Sequence, residues 1–183
     1  MEAKSAEKRE SGVQRPGCQG PVGRNEEDVA MANPLHVSEP GGERLVFPDG
    51  AIELVIKIPG AATDGAFAVF EDVVRPGAGP ARHLHRDQDE TFFVEDGRFD
   101  FEIEGTLIHA GPGDIAFVPK GVVHAFKNVG ADHGRLRFMF TPAGESEAMF
   151  RAFLAAAHKR PLTLETMNEI AMNYGQTFVG PPL

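Results

Sequence analysis

The sequence predicts a mainly β protein, with many short strands closed into a barrel or double sheet and helices only at its C-terminal end. Three observations carry this. Ile52, Leu54, Ile56 and Ile58 alternate with Glu53, Val55 and Lys57, a period-two pattern that gives a strand one apolar face. Turn sequences rich in Gly, Pro and Asp recur at near-regular spacing, as in closed or double-sheet β folds. Past Pro142 the apolar period becomes helical.

Taken in order, residues 1–32 read as a tail rich in Gly, Glu, Lys and Arg, with no periodic apolar face. Such a segment buries too little surface to offset the entropy of ordering and is expected to be disordered. It holds the single cysteine, Cys18. The β unit is expected over 33–142. Leu45-Val46-Phe47 precedes the turn Pro48-Asp49-Gly50. The Ile52–Ile58 run follows, then a loop from Gly60 to Gly65. Phe67, Val69, Glu71 and Val73 begin the next strand, which Pro76-Gly77 ends. Past the strand of His83 and His85, Glu90 to Val94 leads to Asp96-Gly97, a hairpin signal between alternating runs. Phe99, Phe101 and Ile103 alternate until Gly105. Short runs at 107–110, 115–118 and 122–127 are separated by Gly111-Pro112-Gly113-Asp114 and Pro119-Lys120-Gly121, and Leu136, Phe138 and Phe140 close the series.

The remainder, 143–183, is expected to be a helical extension. Phe150, Phe153, Leu154 and Ala157 fall at helical spacing, with His158, Lys159 and Arg160 at the negative end of the dipole. Thr163 suits the cap of a second helix, whose apolar face is Met167, Ile170, Ala171 and Tyr174, and Gly175 suits its end. The pair is expected to pack on the barrel's outside or to seal one end.

Composition removes several function classes. A net charge of −9, with no basic patch, argues against nucleic acid. No apolar run is long enough to span a membrane, and no hydrophobic signal segment stands out, so a soluble, cytoplasmic protein is expected. One cysteine permits no intramolecular disulfide and no Cys-based zinc framework.

The chemistry concentrates between Gly77 and Gly97. His83 and His85 lie two apart; on a strand both imidazoles face one way, with Cα atoms roughly 6.5–7 Å apart. Glu90 follows the polar bend Arg86-Asp87-Gln88-Asp89, and a hairpin there would return its carboxylate beside the histidines. His124 supplies a third imidazole. Three imidazoles and one carboxylate form a mixed N/O site for a divalent transition metal, with Fe, Mn, Ni, Co, Cu and Zn all compatible. Glu90 is read either as a ligand or as a base beside the metal. His36, His133 and His158 lie before the core, in a loop and at a helix end. His109 shares a strand face with Leu107 and is a candidate for burial. None of the four is expected to ligate. Phe92 shares a face with Glu90 and Phe126 with His124, which makes these two the best substrate-pocket candidates, with core packing the competing reading.

Two motifs in these stretches resemble those of the cupin family. The first reads Gly77, His83, His85, Glu90, Gly97, and the second Gly113, Pro119, Gly121, His124, Asn128, every interval matching. The closing segment from Tyr174 to Leu183 resembles the tails of single-domain cupins described as quercetin dioxygenase-like. The resemblance implies a small jelly-roll barrel, metal ligation by His83, His85, Glu90 and His124, and a possible homodimer joined through strand contacts of the N-terminal strands. It also implies O2-dependent cleavage of a flavonol-like enol or phenol, with Glu90 taking the substrate's proton. Two rival readings are a non-catalytic small-molecule-binding cupin and a metal-dependent isomerase or lyase. For a sugar-directed enzyme, Arg135 and Arg137 are the obvious strand-borne charges.

Overall fold

A computed structural model describes residues 34–183; the tail expected over 1–32, with Cys18, lies outside the described residues. The strands form two antiparallel sheets. The larger runs β1 (Glu43–Val46), β2 (Ile52–Ile58), β3 (Ala68–Val74), β10 (Gly134–Thr141), β5 (Asp89–Asp96), β8 (Ile115–Val118). The smaller runs β11 (Gln176–Pro182), β4 (Ala81–His85), β9 (His124–Asn128), β6 (Phe99–Ile103), β7 (Thr106–Ala110). Their inner faces share one core, in which Leu54, Phe70, Phe92 and Phe138 of the larger sheet meet Phe99, Phe101 and Phe126 of the smaller. This is the expected jelly roll.

Strand chemistry set the elements; pairing refined them. Leu54 and Ile56 enter the core as the alternation predicts. On β3 the inward residues are Ala68, Phe70, Asp72 and Val74, the opposite parity to the Phe67, Val69, Glu71, Val73 set. The loop after β2 contains a short 3-10 turn, Gly60–Thr63. Asp96-Gly97 does not close a hairpin. β5 pairs with β10 and β8, and β6 pairs with β7 and β9, so this turn carries the chain from one sheet to the other. The bend at 86–89 likewise passes from β4 in the smaller sheet to β5 in the larger. The local hairpin stands instead at Glu104-Gly105, both at positive φ (48° and 74°), with Ile103 opposite Thr106. Two such residues give the primed turn whose twist matches antiparallel strands.

Helix α1 (Ser146–Ala157) buries Met149 and Phe153, and α2 (Leu164–Ala171) starts at Thr163, whose hydroxyl accepts from Thr166 N. A 3-10 turn, Met172–Tyr174, ends at Gly175 with φ 78°. The expected helical extension then departs from helix. β11 rejoins the smaller sheet against β4, with Gln176 opposite His85 and Phe178 opposite His83. Phe153, Ala171, Phe178 and Ala81 form a second cluster under the helices.

Candidate metal centre

β4 presents its residues in strict alternation, with Ala81, His83 and His85 buried and Arg82 and Leu84 turned away. β9 lies beside it, with His124 opposite His83. Glu90 comes from β5 in the facing sheet. The loop before β9 is tied in place by Gly121, at φ 82°, whose N–H donates to His85 O at 2.6 Å. A left-handed residue there is cheap only for glycine. Asn128 is structural: its Nδ2 donates to Val74 O and Asp132 O, and its Oδ1 accepts from Gly130 N.

The four expected side chains meet. His83, His85, Glu90 and His124 are all buried, and each offers a donor atom within 4.8 Å of the others. Two imidazoles are oriented by the backbone. His83 Nδ1 lies 2.8 Å from Ala81 O, and His124 Nδ1 lies 3.0 Å from Val122 O. A carbonyl accepts only, so each Nδ1 carries a hydrogen, which leaves Nε2 of His83 free and turns Nε2 of His124 toward Glu90. Glu90 Oε2 stands 2.8 Å from His124 Nε2 and 3.2 Å from His85 Nε2. Among the described residues, neither ring nitrogen of His85 makes a hydrogen bond of good geometry, and an orphaned buried nitrogen in a cluster of donors is what an ion would satisfy. These residues therefore fit a divalent transition metal.

Electrostatics agree. Burial, then the neighbouring His124 and His85, push the His83 imidazole well below its usual range, leaving it neutral. Burial opposes charge on Glu90, but the hydrogen bond with His124 and the close His85 imidazole overcome it and hold the carboxyl far below the usual range. Burial likewise disfavours a charged His124, and its bond to Glu90 outweighs that and raises it. The cluster is thus anionic at Glu90 and nucleophilic at His83, which suits a cation.

The group opens on a cavity of about 530 Å³. Both expected pocket residues, Phe92 and Phe126, line it and also belong to the core, so the two readings describe the same side chains. Phe138, Phe140, Phe150 and Phe153 add to the wall. Two polar residues were missed by sequence reasoning: Asp72 and Gln176 also face the cavity, each buried and each with an oxygen lacking a hydrogen-bond partner. Gln176 was legible only with knowledge that the C-terminus returns as a strand beside His85. The other histidines stay out of the group, as expected. His109, however, is exposed rather than buried, and its Nδ1 pairs with Asp100 at 2.6 Å. Arg135 and Arg137 point to Glu39 and to Glu71 and Glu95 respectively, outside the cavity.

Comparison with known proteins agrees with the fold and the motifs. The cupin domain profile matches residues 70–141, a span that holds all four candidate ligands. An uncharacterized protein of Aquifex aeolicus (strain VF5) is 31% identical over 108 residues, covering 58% of this chain and 84% of that protein. The polyketide synthase CurC of Streptomyces cyaneus is 26% identical over 89 residues, covering 49% of this chain; the match spans 56% of CurC. The solved RmlC-like cupin from Shewanella frigidimarina NCIMB 400 superposes with a TM-score of 0.53 at 23% identity, over 64% of this chain and 99% of that one. With two facing antiparallel sheets, both histidine motifs and a matching domain profile, the chain belongs to the cupin superfamily.

Proposed function

We propose that the protein is a metal-dependent enzyme acting on a flat aromatic, phenolic or enolic substrate that presents two neighbouring oxygens. One observation carries this: the donor group of three imidazoles and a carboxylate opens on a cavity walled by phenylalanine. A divalent metal held by His83, His85, Glu90 and His124 would supply Lewis acidity, lowering the pKa of a substrate hydroxyl. The chain supplies the rest. Phe92, Phe126 and Phe138 offer ring faces and edges that orient a flat substrate and exclude water. Both histidine contacts to Glu90 use Oε2, which leaves Oε1 to receive the substrate's proton.

The electron-rich anion so formed is a substrate for O2, and O2-dependent cleavage of a flavonol-like ring is the reading favoured by the quercetin dioxygenase-like resemblance. The second reading, a non-oxidative isomerase or lyase, is supported by the similarity to a polyketide synthase, because polyketides are rich in enolisable carbonyls. A phosphorylated sugar is disfavoured, since no Lys or Arg among the described residues lines the cavity. A homodimer is part of the proposal. Val46 on the edge strand β1 and Ile115 and Phe117 on the opposite edge strand β8 are exposed, apolar material for strand contacts.

The test is oxygen uptake and product analysis with metal-loaded full-length protein and a panel of flavonols and enols. Uptake coupled to ring opening is the expected result. Conversion without uptake selects the isomerase or lyase. Tight binding with neither leaves a binding module.

A further inference from the structure

One buried acid in the cavity has no part in the metal group. Asp72 is only 5% exposed, faces the same cavity as His83, His85 and Glu90, and its Oδ1 has no hydrogen-bond partner among the described residues. Its register neighbours on either side are Leu54 and Leu136. A buried oxygen with nothing to bond weakens a fold, so packing alone gives no reason for a carboxyl here.

Register fixes where Asp72 stands. Across β3, β10 and β5, inward residues form successive rows: Ala68, Phe140 and Glu90; then Phe70, Phe138 and Phe92; then Asp72, Leu136 and Val94. The two carboxyls therefore bracket a row of three aromatic rings on one sheet. Phe70 and Phe138 stack with centroids 5.1 Å apart, and Phe92 lies 5.9 Å from Phe138. Burial, reinforced by the negative charges of Glu90 and Glu71, pushes the Asp72 carboxyl well above its ordinary range. This favours the protonated carboxyl, which can donate as well as accept.

We infer that Asp72 is a second anchor for substrate, hydrogen-bonding a neutral hydroxyl or carbonyl oxygen on the end of a flat ring system remote from the oxygens that meet His83, His85, Glu90 and His124. This rests on the aromatic-substrate reading above and narrows it. The substrate class becomes multi-ring phenols or enols with a polar oxygen at each end. Carboxylates and phosphates at that end are disfavoured by the acidic surroundings.

The probes are parent flavonol, which has only its chelating hydroxyketone, and the flavonols carrying one further hydroxyl on either outer ring. Affinities are measured for metal-loaded full-length wild type, Asp72→Asn and Asp72→Leu, with thermal unfolding of each. Wild type is expected to bind one hydroxylated flavonol roughly five- to tenfold more tightly than the parent, the weight of one buried hydrogen bond. Asp72→Leu is expected to bind all of them alike, with a Tm at or above wild type, and Asp72→Asn to keep part of the preference. A preference that survives in Asp72→Leu, or a wild type with none, overturns the anchor and leaves the aromatic-substrate reading standing. A marked fall in Tm for Asp72→Leu also overturns it, because Asp72 would then be structural. Lost discrimination with no conversion of any flavonol upholds the anchor and removes the proposed reaction. If no flavonol binds wild type, both ideas fall.

Discussion

Glu90 and Asp72 are equally deep in the barrel, 3% and 5% exposed, yet their surroundings push their ionisation in opposite directions. Glu90 faces imidazoles, and the hydrogen bond with His124 and the close His85 ring outweigh its burial and keep it ionised. Asp72 sits between Leu54 and Leu136 with an unbonded oxygen, and burial favours its protonated form. Burial alone therefore does not decide a carboxyl's charge; the partners within hydrogen-bond reach do. One functional group thus stands in the cavity in two environments, a carboxylate among imidazoles and a carboxyl between leucines.

The largest expected effect breaks the charged end. Replacing His83, His85 or His124 by Ala removes a donor and is expected to take metal content, measured on protein purified without a histidine tag, from one ion per chain to near zero. Glu90→Gln sharpens the comparison, since Gln keeps the shape and an oxygen donor but loses charge and basicity. If Glu90 is the base, this variant retains much of its metal and loses most turnover. If it is only a ligand, metal and turnover fall together.

Stability separates the two acids next. Glu90→Leu strands the His124 Nε2 in the core and is expected to destabilise the metal-free protein by about 1–3 kcal/mol. Asp72→Leu removes an unpaired polar group and is expected to be neutral or stabilising by chemical denaturation.

Their pH dependences have opposite sign. Glu90 holds its proton less tightly when folded, so its contribution is present above the ordinary Glu range and is lost as pH falls toward its depressed value. Asp72 holds its proton more tightly when folded. The native state then binds more protons than the unfolded chain, and stability falls as pH rises above the ordinary Asp range. In metal-free protein, Asp72→Asn is expected to remove the second slope and leave the first. The smallest effect is on metal affinity, which should weaken in mild acid because the ion competes with the proton on His124, whose pKa is raised.

How much of this was legible follows from particular residues. His83 and His85 were readable because period-two spacing puts alternate residues on one face whatever the strand pairs with, and burial of Ala81, His83 and His85 follows it. The sheets themselves were not. Asp96-Gly97 is good turn chemistry, but a turn is local and does not say whether its flanking strands pair or pass to opposite sheets. Glu90 still reached the histidines, from the facing sheet instead of across a hairpin. Asp72 was hidden by its run, in which Phe67, Val69, Glu71, Val73 and Ala68, Phe70, Asp72, Val74 both carry one acid. Only pairing with β2 and β10 decides the inward parity. Gln176 was hidden because Gly180-Pro181-Pro182 reads as an irregular tail, whereas an edge strand tolerates proline.

The central claim is that the buried donor group and the aromatic cavity form one site. Cobalt(II) loaded into the full-length protein gives a visible d–d spectrum that reports its ligands, and parent flavonol is the probe. On adding the flavonol, the cobalt bands are predicted to shift while the flavonol's own absorption moves to that of its anion, and both changes are predicted to vanish in His124→Ala. Flavonol that binds the cobalt-loaded protein and leaves the cobalt bands unmoved would contradict the account, because cavity and metal group would then be separate sites.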